Sequence, residues 1–367
     1  MKAAVCRAVR QIEIEELDEP QPQSDEIKLR MVATGVCRTD LSIFQGHLPV
    51  PWPIVLGHEG VGIVESVGPG VTRFSPGDSV VCSIIAGCGE CFQCLREASS
   101  LCENVTFYTG KMLDGTTRLS RENGDEAIHS LSYQASFAEK AIVPERAAVR
   151  VRNDAPLDKL AGLACGVSTG LGASMVRNPV EPGASVVVIG TGGVGLSALM
   201  GARLRGAGKL IAVDVVASKL TKARALGLAT ETIDATREDV VERVRALTNG
   251  RGADYAFDVV GAPGTLEQAL DAVRPGGHVT IIGLTSGAVP ANFATSALLR
   301  QKTLTGTMGG SIEPRRHIPE FVDLFLAGRL DLSSLMDRTY ALHEVGQALE
   351  DLEQGRITRG VIRFDQP

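Results

Sequence analysis

From about residue 166 onward the chain alternates short, nearly continuous apolar runs with helical patterns, and no other feature constrains its fold as tightly. The runs are SVVVIG (185–190), KLIAVD (209–214), ETIDA (231–235), DYAFDVVG (254–261), HVTIIG (278–283) and LTGTM (304–308). Between them VGLSALMGARLRG, ASKLTKARALG and REDVVERVRALTNG read as helices. Strands apolar on both faces belong to a parallel sheet covered by helices on each side. Six of them predict an α/β, doubly wound fold. The first strand runs into GTGGVG, Gly190 to Gly195, which opens a helix. Glycines at 190, 192 and 195 allow a tight turn and a close backbone approach to a pyrophosphate. The helix N-terminus adds N–H donors and the positive end of its dipole. Gly193 and Val194 complete this loop. Asp214 ends the next strand, 19 residues beyond Gly195. A carboxylate there can hold both hydroxyls of an adenosine ribose and repel a 2′-phosphate, which predicts NAD rather than NADP. Lys219, on the following helix, is either a solvated helix residue or a second ribose contact.

The first 150 residues have a different texture. KLRMVATG, GVGIVESVG, DSVVCSI and FAEKAIVP are short strands with turn signals at close spacing, which predicts a small β-rich, barrel-like domain. Residues 103–132 are polar and irregular and read as a long surface excursion, a lid or a subunit contact. Beyond about 315, PEFVDLFLAGRL and HEVGQALEDLEQG read as helices, and ITRGVIRF as a strand of the N-terminal kind. The expected organisation is therefore a domain over 1–166 completed by 312–367, and a dinucleotide-binding domain over 167–311.

Eight cysteines need an explanation. MKAAVCRAVRQIEIEE lacks the apolar stretch of a signal peptide, so a cytoplasmic protein with reduced thiols is expected, and clustered cysteines read as metal ligands before disulfides. Cys88-x2-Cys91-x2-Cys94-x7-Cys102 can close around one tetrahedral ion with no open position, a structural zinc site. A surface disulfide pair, reactive thiols or an iron–sulfur cluster are the alternatives. Cys37 in GVCRTD, His58 in VLGHEGVG and Cys165 in LACGVSTG would give two thiolates and an imidazole, a three-ligand zinc site with a fourth position free for chemistry. Singly, each of the three is equally an inert buried side chain.

Composition excludes several classes. Lys+Arg is 37 against 43 Asp+Glu, a net charge of −6 without a strongly basic segment, which speaks against nucleic-acid or polybasic membrane binding. No apolar run approaches the roughly 18 residues of a membrane span. Hydrophobic residues at 44% and charged residues at 22% are those of an ordinary globular protein.

With GVCRTD, GHEGVGIVESVG, the four-cysteine lobe, CGVSTG and GTGGVG in this order and spacing, the chain resembles, over essentially its whole length, the zinc-dependent alcohol dehydrogenases of the medium-chain dehydrogenase/reductase superfamily. The resemblance implies a GroES-like β-rich catalytic domain and a Rossmann domain. It implies a catalytic zinc on Cys37, His58 and Cys165, with Glu59 behind the metal and able to approach it, and a structural zinc on Cys88, Cys91, Cys94 and Cys102. Asp40 would orient the zinc histidine, and Thr39 would touch the substrate alcohol. Arg38 and Arg359 would contact the pyrophosphate, Thr169 and Val194 the nicotinamide, and Asp214 and Lys219 the adenosine ribose. Thr39, Leu48, Ile84, Leu131, Leu284 and Met308 would line an apolar substrate channel suited to hydrophobic primary alcohols, aliphatic or benzylic, oxidised reversibly to aldehydes with NAD. A homo-oligomer, dimer or tetramer, is implied. Well-known members end their proton relay on a histidine at the position of Ser42, and a serine can pass a proton but cannot hold one at neutral pH. Two further readings are open: the thiol-adduct formaldehyde dehydrogenase branch, which shares these motifs and a long excursion such as 103–132, and a non-catalytic zinc- and NAD-binding protein.

Overall fold

In the computed structural model, which describes residues 1–105, 107–283 and 289–365, the predicted strands of the second half form one six-stranded sheet. Its order is Glu231–Asp234, Lys209–Asp214, Ser185–Ile189, Ala253–Asp258, Val273–Ile281, Thr303–Gly306, and every pair is parallel. Ser185–Ile189 is buried along its whole length, while the two outermost strands are only partly covered. Apolar content thus tracks position, continuous at the centre and broken at the edges. Chain order runs outward from Ser185–Ile189 on one side and then resumes from it on the other. The reversal leaves a crevice at the carboxyl ends of the central strands, where the glycine loop begins.

The helix that follows the loop, Gly193–Leu204, is buried along most of its length. It packs against Gly166–Gly172 at a contact built from small residues. A Cβ on Gly170 would lie 2.3 Å from the Val194 carbonyl, and one on Gly201 would lie 2.2 Å from Ser174 Oγ. Together these elements make a compact unit, Gly166–Ile312.

The other unit comprises Met1–Cys165 and Glu313–Pro367. One sheet has the order Gln11–Glu16, Lys2–Ala8, Ile54–Val55, Glu126–Ser130, Leu119–Arg121. A larger one runs Ala148–Val151, Ser79–Cys82, Gly60–Val67, Glu26–Val36, Gly360–Arg363, Arg338–Tyr340. The 11-residue strand Glu26–Val36 is its axis. Along one edge it pairs with Gly60–Val67; along the other it pairs first with Lys140–Pro144 and then with the C-terminal Gly360–Arg363. Register shifts near Leu29 and Val32 mark bulges, which bend a strand and let it serve partners that diverge.

The stretch 103–132 differs from the polar surface excursion expected. It contributes Leu119–Arg121 and Glu126–Ser130 to the first sheet, and Met112, Leu119, Ile128 and Leu131 are buried. Its apolar residues stand singly or in pairs among polar ones, so no long run of them is visible in the sequence. The helix expected from Pro319 begins earlier, at Pro314, which occupies the first turn where its missing N–H costs nothing. Among the described residues no helix is long and apolar enough to cross a membrane.

The C-terminal return is fastened by Asp351 on the helix Val345–Glu353, whose side chain is 2% exposed. It accepts hydrogen bonds from Tyr340 Oη at 2.6 Å, Gln347 Nε2 at 2.8 Å and Arg356 Nε at 2.8 Å, and pairs with Arg338 at 3.1 Å. The Tyr340 bond, followed by those of Arg356 and Gln347, outweighs burial and pulls the carboxyl down to about 2. A carboxyl depressed on folding stabilises the native state above its unfolded pKa, and that stability is lost as the pH falls toward the folded value. Asp351→Ala should cost about 2 kcal/mol in urea unfolding at pH 7. The difference from wild type should shrink between pH 4 and pH 2; a constant difference across that range would show that the carboxylate charge is not what matters.

Candidate functional site

The first unit gathers two groups of metal-ligating side chains. In the loop carrying Cys88, Cys91, Cys94 and Cys102 the four sulfurs all lie within 4.8 Å of one another. The Cys88–Cys94 and Cys91–Cys102 sulfurs are 3.9 and 4.0 Å apart. A tetrahedral ion with sulfur ligands at about 2.3 Å sets its sulfurs about 3.8 Å apart. A disulfide needs about 2.05 Å. The spacing therefore fits one shared zinc and not a disulfide pair. Backbone N–H groups point at the sulfurs, from Cys91 to Cys88 at 3.3 Å and from Cys94 to Cys91 at 3.5 Å. The N–H groups of Glu90 and Cys91 bring the Cys88 thiol down to about 6.

The second group takes Cys37, His58, Glu59 and Cys165 from three separate segments, and again all ligand atoms fall within 4.8 Å. Cys37 directly follows the long strand Glu26–Val36 and caps the short helix Arg38–Phe44. His58 and Glu59 directly precede the strand Gly60–Val67, and Cys165 follows the turn Ala161–Ala164. Two thiols, an imidazole and a carboxyl are a donor set that zinc takes.

Asp40, wholly buried, holds these segments in register. Its Oδ2 accepts from the Cys37 N–H at 3.0 Å, and its Oδ1 accepts from the Gly57 N–H at 3.0 Å and lies 3.1 Å from His58 Nδ1. With the Nδ1 proton committed to Asp40, Nε2 is the nitrogen left to bind a metal. Burial works against a charged His58, but the charges of Asp40 and Cys37 prevail and hold the imidazole well above its usual range. A hydrogen bond from Cys165 pulls Cys37 well below the ordinary thiol range, and the same pairing pushes Cys165 up.

Glu59 is also fully buried and forms an ion pair with Arg359. Burial raises its carboxyl to about 7 although Arg359 opposes the shift. A Cβ at residue 35 would lie 2.1 Å from Glu59 Oε2, so only glycine leaves this carboxylate its place. Arg359 is 3% exposed, and its Nε has no partner among the described residues.

The remaining sequence candidates fall as follows. Arg38 is exposed, and Thr39 and Ser42 are half-buried on the helix after Cys37. Leu48 and Ile84 are half-buried, and the Ile84 N–H donates to the Ala164 carbonyl beside Cys165. Leu131 is fully buried in the apolar cluster with Leu41, Ile54 and Leu56. Leu284 lies outside the described residues. Met308 belongs to the other unit and is 41% exposed. One residue the sequence did not suggest is Tyr108. Its phenol is pushed up by burial and then by the charges of Cys165, Cys37 and Asp40, so it stands within electrostatic reach of the metal ligands. Its place in the supposed surface excursion concealed it.

In the second unit the three glycines of the loop do different work. Gly190 has φ +92°, a conformation L side chains rarely adopt. A Cβ on Gly195 would lie 1.9 Å from the Gly190 carbonyl, whereas one on Gly192 meets nothing within 4 Å. Gly192 caps the helix Gly193–Leu204 without a side-chain bond, leaving an open backbone face of the kind a pyrophosphate can occupy. Asp214 Oδ2 accepts from the Thr191 N–H at 2.8 Å and the Thr191 hydroxyl at 3.0 Å, which ties the acid to the loop. Thr169 and Val194 are half-buried on the two helices that meet at Gly170, and Lys219 is half-buried near the start of Ala217–Ala225.

Comparison with known proteins finds matches in both parts of the chain. Residues 23–153 match the alcohol dehydrogenase GroES-like domain and residues 193–327 the zinc-binding dehydrogenase domain. The chain is 36% identical over 370 residues to the alcohol dehydrogenase class-3 of Myxine glutinosa, covering 99% of this chain and 97% of the relative. Its fold superposes on an alcohol dehydrogenase zinc-binding domain protein from Burkholderia ambifaria with a TM-score of 0.94 at 38% identity, over 100% of this chain and 99% of that one. Benzyl alcohol dehydrogenase from Acinetobacter calcoaceticus gives a TM-score of 0.93 at 36% identity, over 99% of each chain.

The two cysteines outside both groups, Cys6 and Cys82, are fully buried, and burial raises their thiols to about 12. In chelator-treated protein at pH 7.5, iodoacetamide should modify Cys88 and leave Cys6 and Cys82 unmodified by mass spectrometry, because the thiolate is the nucleophile. Zinc added beforehand should protect Cys88. Early modification of Cys6 or Cys82 in folded protein would contradict this ordering.

Proposed function

The chain belongs to the zinc-dependent alcohol dehydrogenases of the medium-chain dehydrogenase/reductase superfamily, and we propose that it oxidises hydrophobic primary alcohols, aliphatic or benzylic, reversibly to aldehydes with NAD. The observation that carries this reading is the convergence of Cys37, His58 and Cys165, all tied to the buried Asp40 or to its neighbours. When bound, zinc supplies Lewis acidity at the alcohol oxygen and the nicotinamide accepts the hydride.

The chain's own residues do the rest. Cys37, His58 and Cys165 hold the metal, and Glu59 stands behind them as the group able to approach it during ligand exchange. Asp40 fixes the imidazole so that Nε2 is presented without conformational search. Thr39 Oγ1 accepts the proton leaving the alcohol and donates its own onward, which a hydroxyl can do because it is both donor and acceptor. Ser42, whose hydroxyl both accepts and donates, would pass the proton on toward solvent. Gly190, Gly192 and Gly195 leave the pyrophosphate its approach, with Arg38 and Arg359 as cationic contacts. Asp214 and Lys219 hold the adenosine ribose, and the single acid disfavours a 2′-phosphate. Thr169 and Val194 flank the nicotinamide. Thr39, Leu48, Ile84 and Met308 offer aliphatic surface, which favours apolar alcohols over polyols.

The reading makes the chain a homo-oligomer, dimer or tetramer. The outer strand Thr303–Gly306 and Leu299, which is 84% exposed, support a covered sheet edge.

Reduction of NAD, followed by nicotinamide absorbance, should be seen with benzyl alcohol and with a medium-chain primary alcohol, and more weakly with a secondary alcohol. Turnover confined to formaldehyde with a low-molecular-weight thiol would overturn the substrate class while leaving the cofactors in place. For the relay, Ser42→His should introduce a kcat ionisation in the imidazole range near pH 6–7. An unchanged pH profile would take Ser42 off the proton path.

A further inference from the structure

Three arginines from distant parts of the chain converge on a recess in the first unit. Arg73 lies in the segment between the strands Gly60–Val67 and Ser79–Cys82, Arg150 on the strand Ala148–Val151, and Arg315 in the first turn of the helix Pro314–Leu326. The recess measures about 190 Å³ and is completed by Phe74, Ala148 and Val149. Phe74 is buried, 5% exposed, with the Arg73 and Arg150 guanidinium carbons 5.4 and 5.5 Å from its ring centre.

The charges around the recess do not balance. Arg150 pairs with Asp78 at 2.5 Å, and Arg73 Nε stands 3.5 Å from Glu145 Oε1. Glu145 Oε1 is already shared, accepting the backbone N–H groups of Thr72 at 3.2 Å and Arg73 at 2.8 Å. Arg315 has no acidic partner at ion-pair distance among the described residues. Burial, then the neighbouring charges of Arg315 and Arg150, hold the Arg73 guanidinium below its ordinary range. Like charges crowded this way repel, and an anion between them relieves the repulsion.

We propose that this recess is a binding site for a phosphate monoester, with the phosphoryl group among Arg73, Arg150 and Arg315 and a small apolar body against Phe74. Three guanidinium groups carried by separate segments to one recess suit a tetrahedral oxyanion, whereas a planar carboxylate is satisfied by the single fork of one arginine. The volume admits a phosphoryl group and a few further heavy atoms, and the apolar wall gives the organic part a surface to cover. None of the three arginines belongs to the metal or cofactor machinery, so the site is separate from the dehydrogenase chemistry.

The test is isothermal titration of the zinc-loaded full chain, saturated with NAD so that the pyrophosphate cradle is filled, with inorganic phosphate, phenyl phosphate and acetate as probes. Wild type should bind phosphate saturably, phenyl phosphate more tightly, and acetate more weakly than either. Arg315→Gln, a change at an exposed side chain, should weaken phosphate binding about tenfold, as should Arg150→Gln, with zinc content and benzyl alcohol turnover unchanged. Phosphate affinity equal in wild type and both variants, or no saturable binding in wild type, would overturn the site. Acetate binding as tightly as phosphate would overturn the phosphoryl assignment, and phenyl phosphate binding no tighter than phosphate would overturn the monoester.

Discussion

One buried carboxylate organises the candidate metal centre. Asp40 is inaccessible to solvent, yet it meets the backbone at Cys37 and Gly57 and the ring of His58. Cys37 and His58 sit on different segments, and nothing in the local backbone of either one determines where the other lies. A carboxylate that accepts from both segments converts two independent loops into one rigid corner. It also selects which imidazole nitrogen is free, so a structural contact and a chemical one are the same hydrogen bond.

The packing around that corner depends on missing side-chain atoms. Gly35 makes room for the Glu59 carboxylate, and Gly57 sits where a Cβ would strike the Phe137 backbone nitrogen at 2.6 Å. In the dinucleotide unit the same device brings the Gly195 turn onto the Gly190 carbonyl and one helix onto the next at Gly170. The high glycine content therefore serves close approach as much as it serves turns. Replacing these positions with alanine would displace functional atoms and not merely stiffen loops.

What the sequence revealed follows from how local each signal is. The six parallel strands were legible because burial on both faces leaves uninterrupted apolar runs such as SVVVIG. Gln11–Glu16 was not, because its exposed, acidic alternation QIEIEE gives little sign of a core-facing side. The four-cysteine lobe was legible from spacing alone, since its ligands lie within one loop. Cys37, His58 and Cys165 could be named as candidate ligands from residue type, but only the resemblance joined them into one site, because their convergence depends on long-range pairing. The sequence placed Glu59 behind the metal and Arg359 at a pyrophosphate, but it held no sign that the two form an ion pair across 300 residues. Tyr108 was hidden for a related reason: the segment carrying it looked like solvent-facing chain, and only its packing places the phenol near the thiols.

The discontinuity of the first unit has a consequence in time as well as in space. Glu26–Val36 reserves part of one edge for Gly360–Arg363, and Glu59 reserves its burial partner for Arg359. A ribosome delivers those partners only after the intervening dinucleotide unit. The dinucleotide unit, one continuous stretch, has left the ribosome whole by then and can complete its sheet first. During synthesis the β-rich unit must therefore wait with an unpaired strand edge and an uncompensated acid. Its closing segment is made only after the whole dinucleotide unit, so Glu59 gains its compensating charge later than the metal ligands beside it are synthesised.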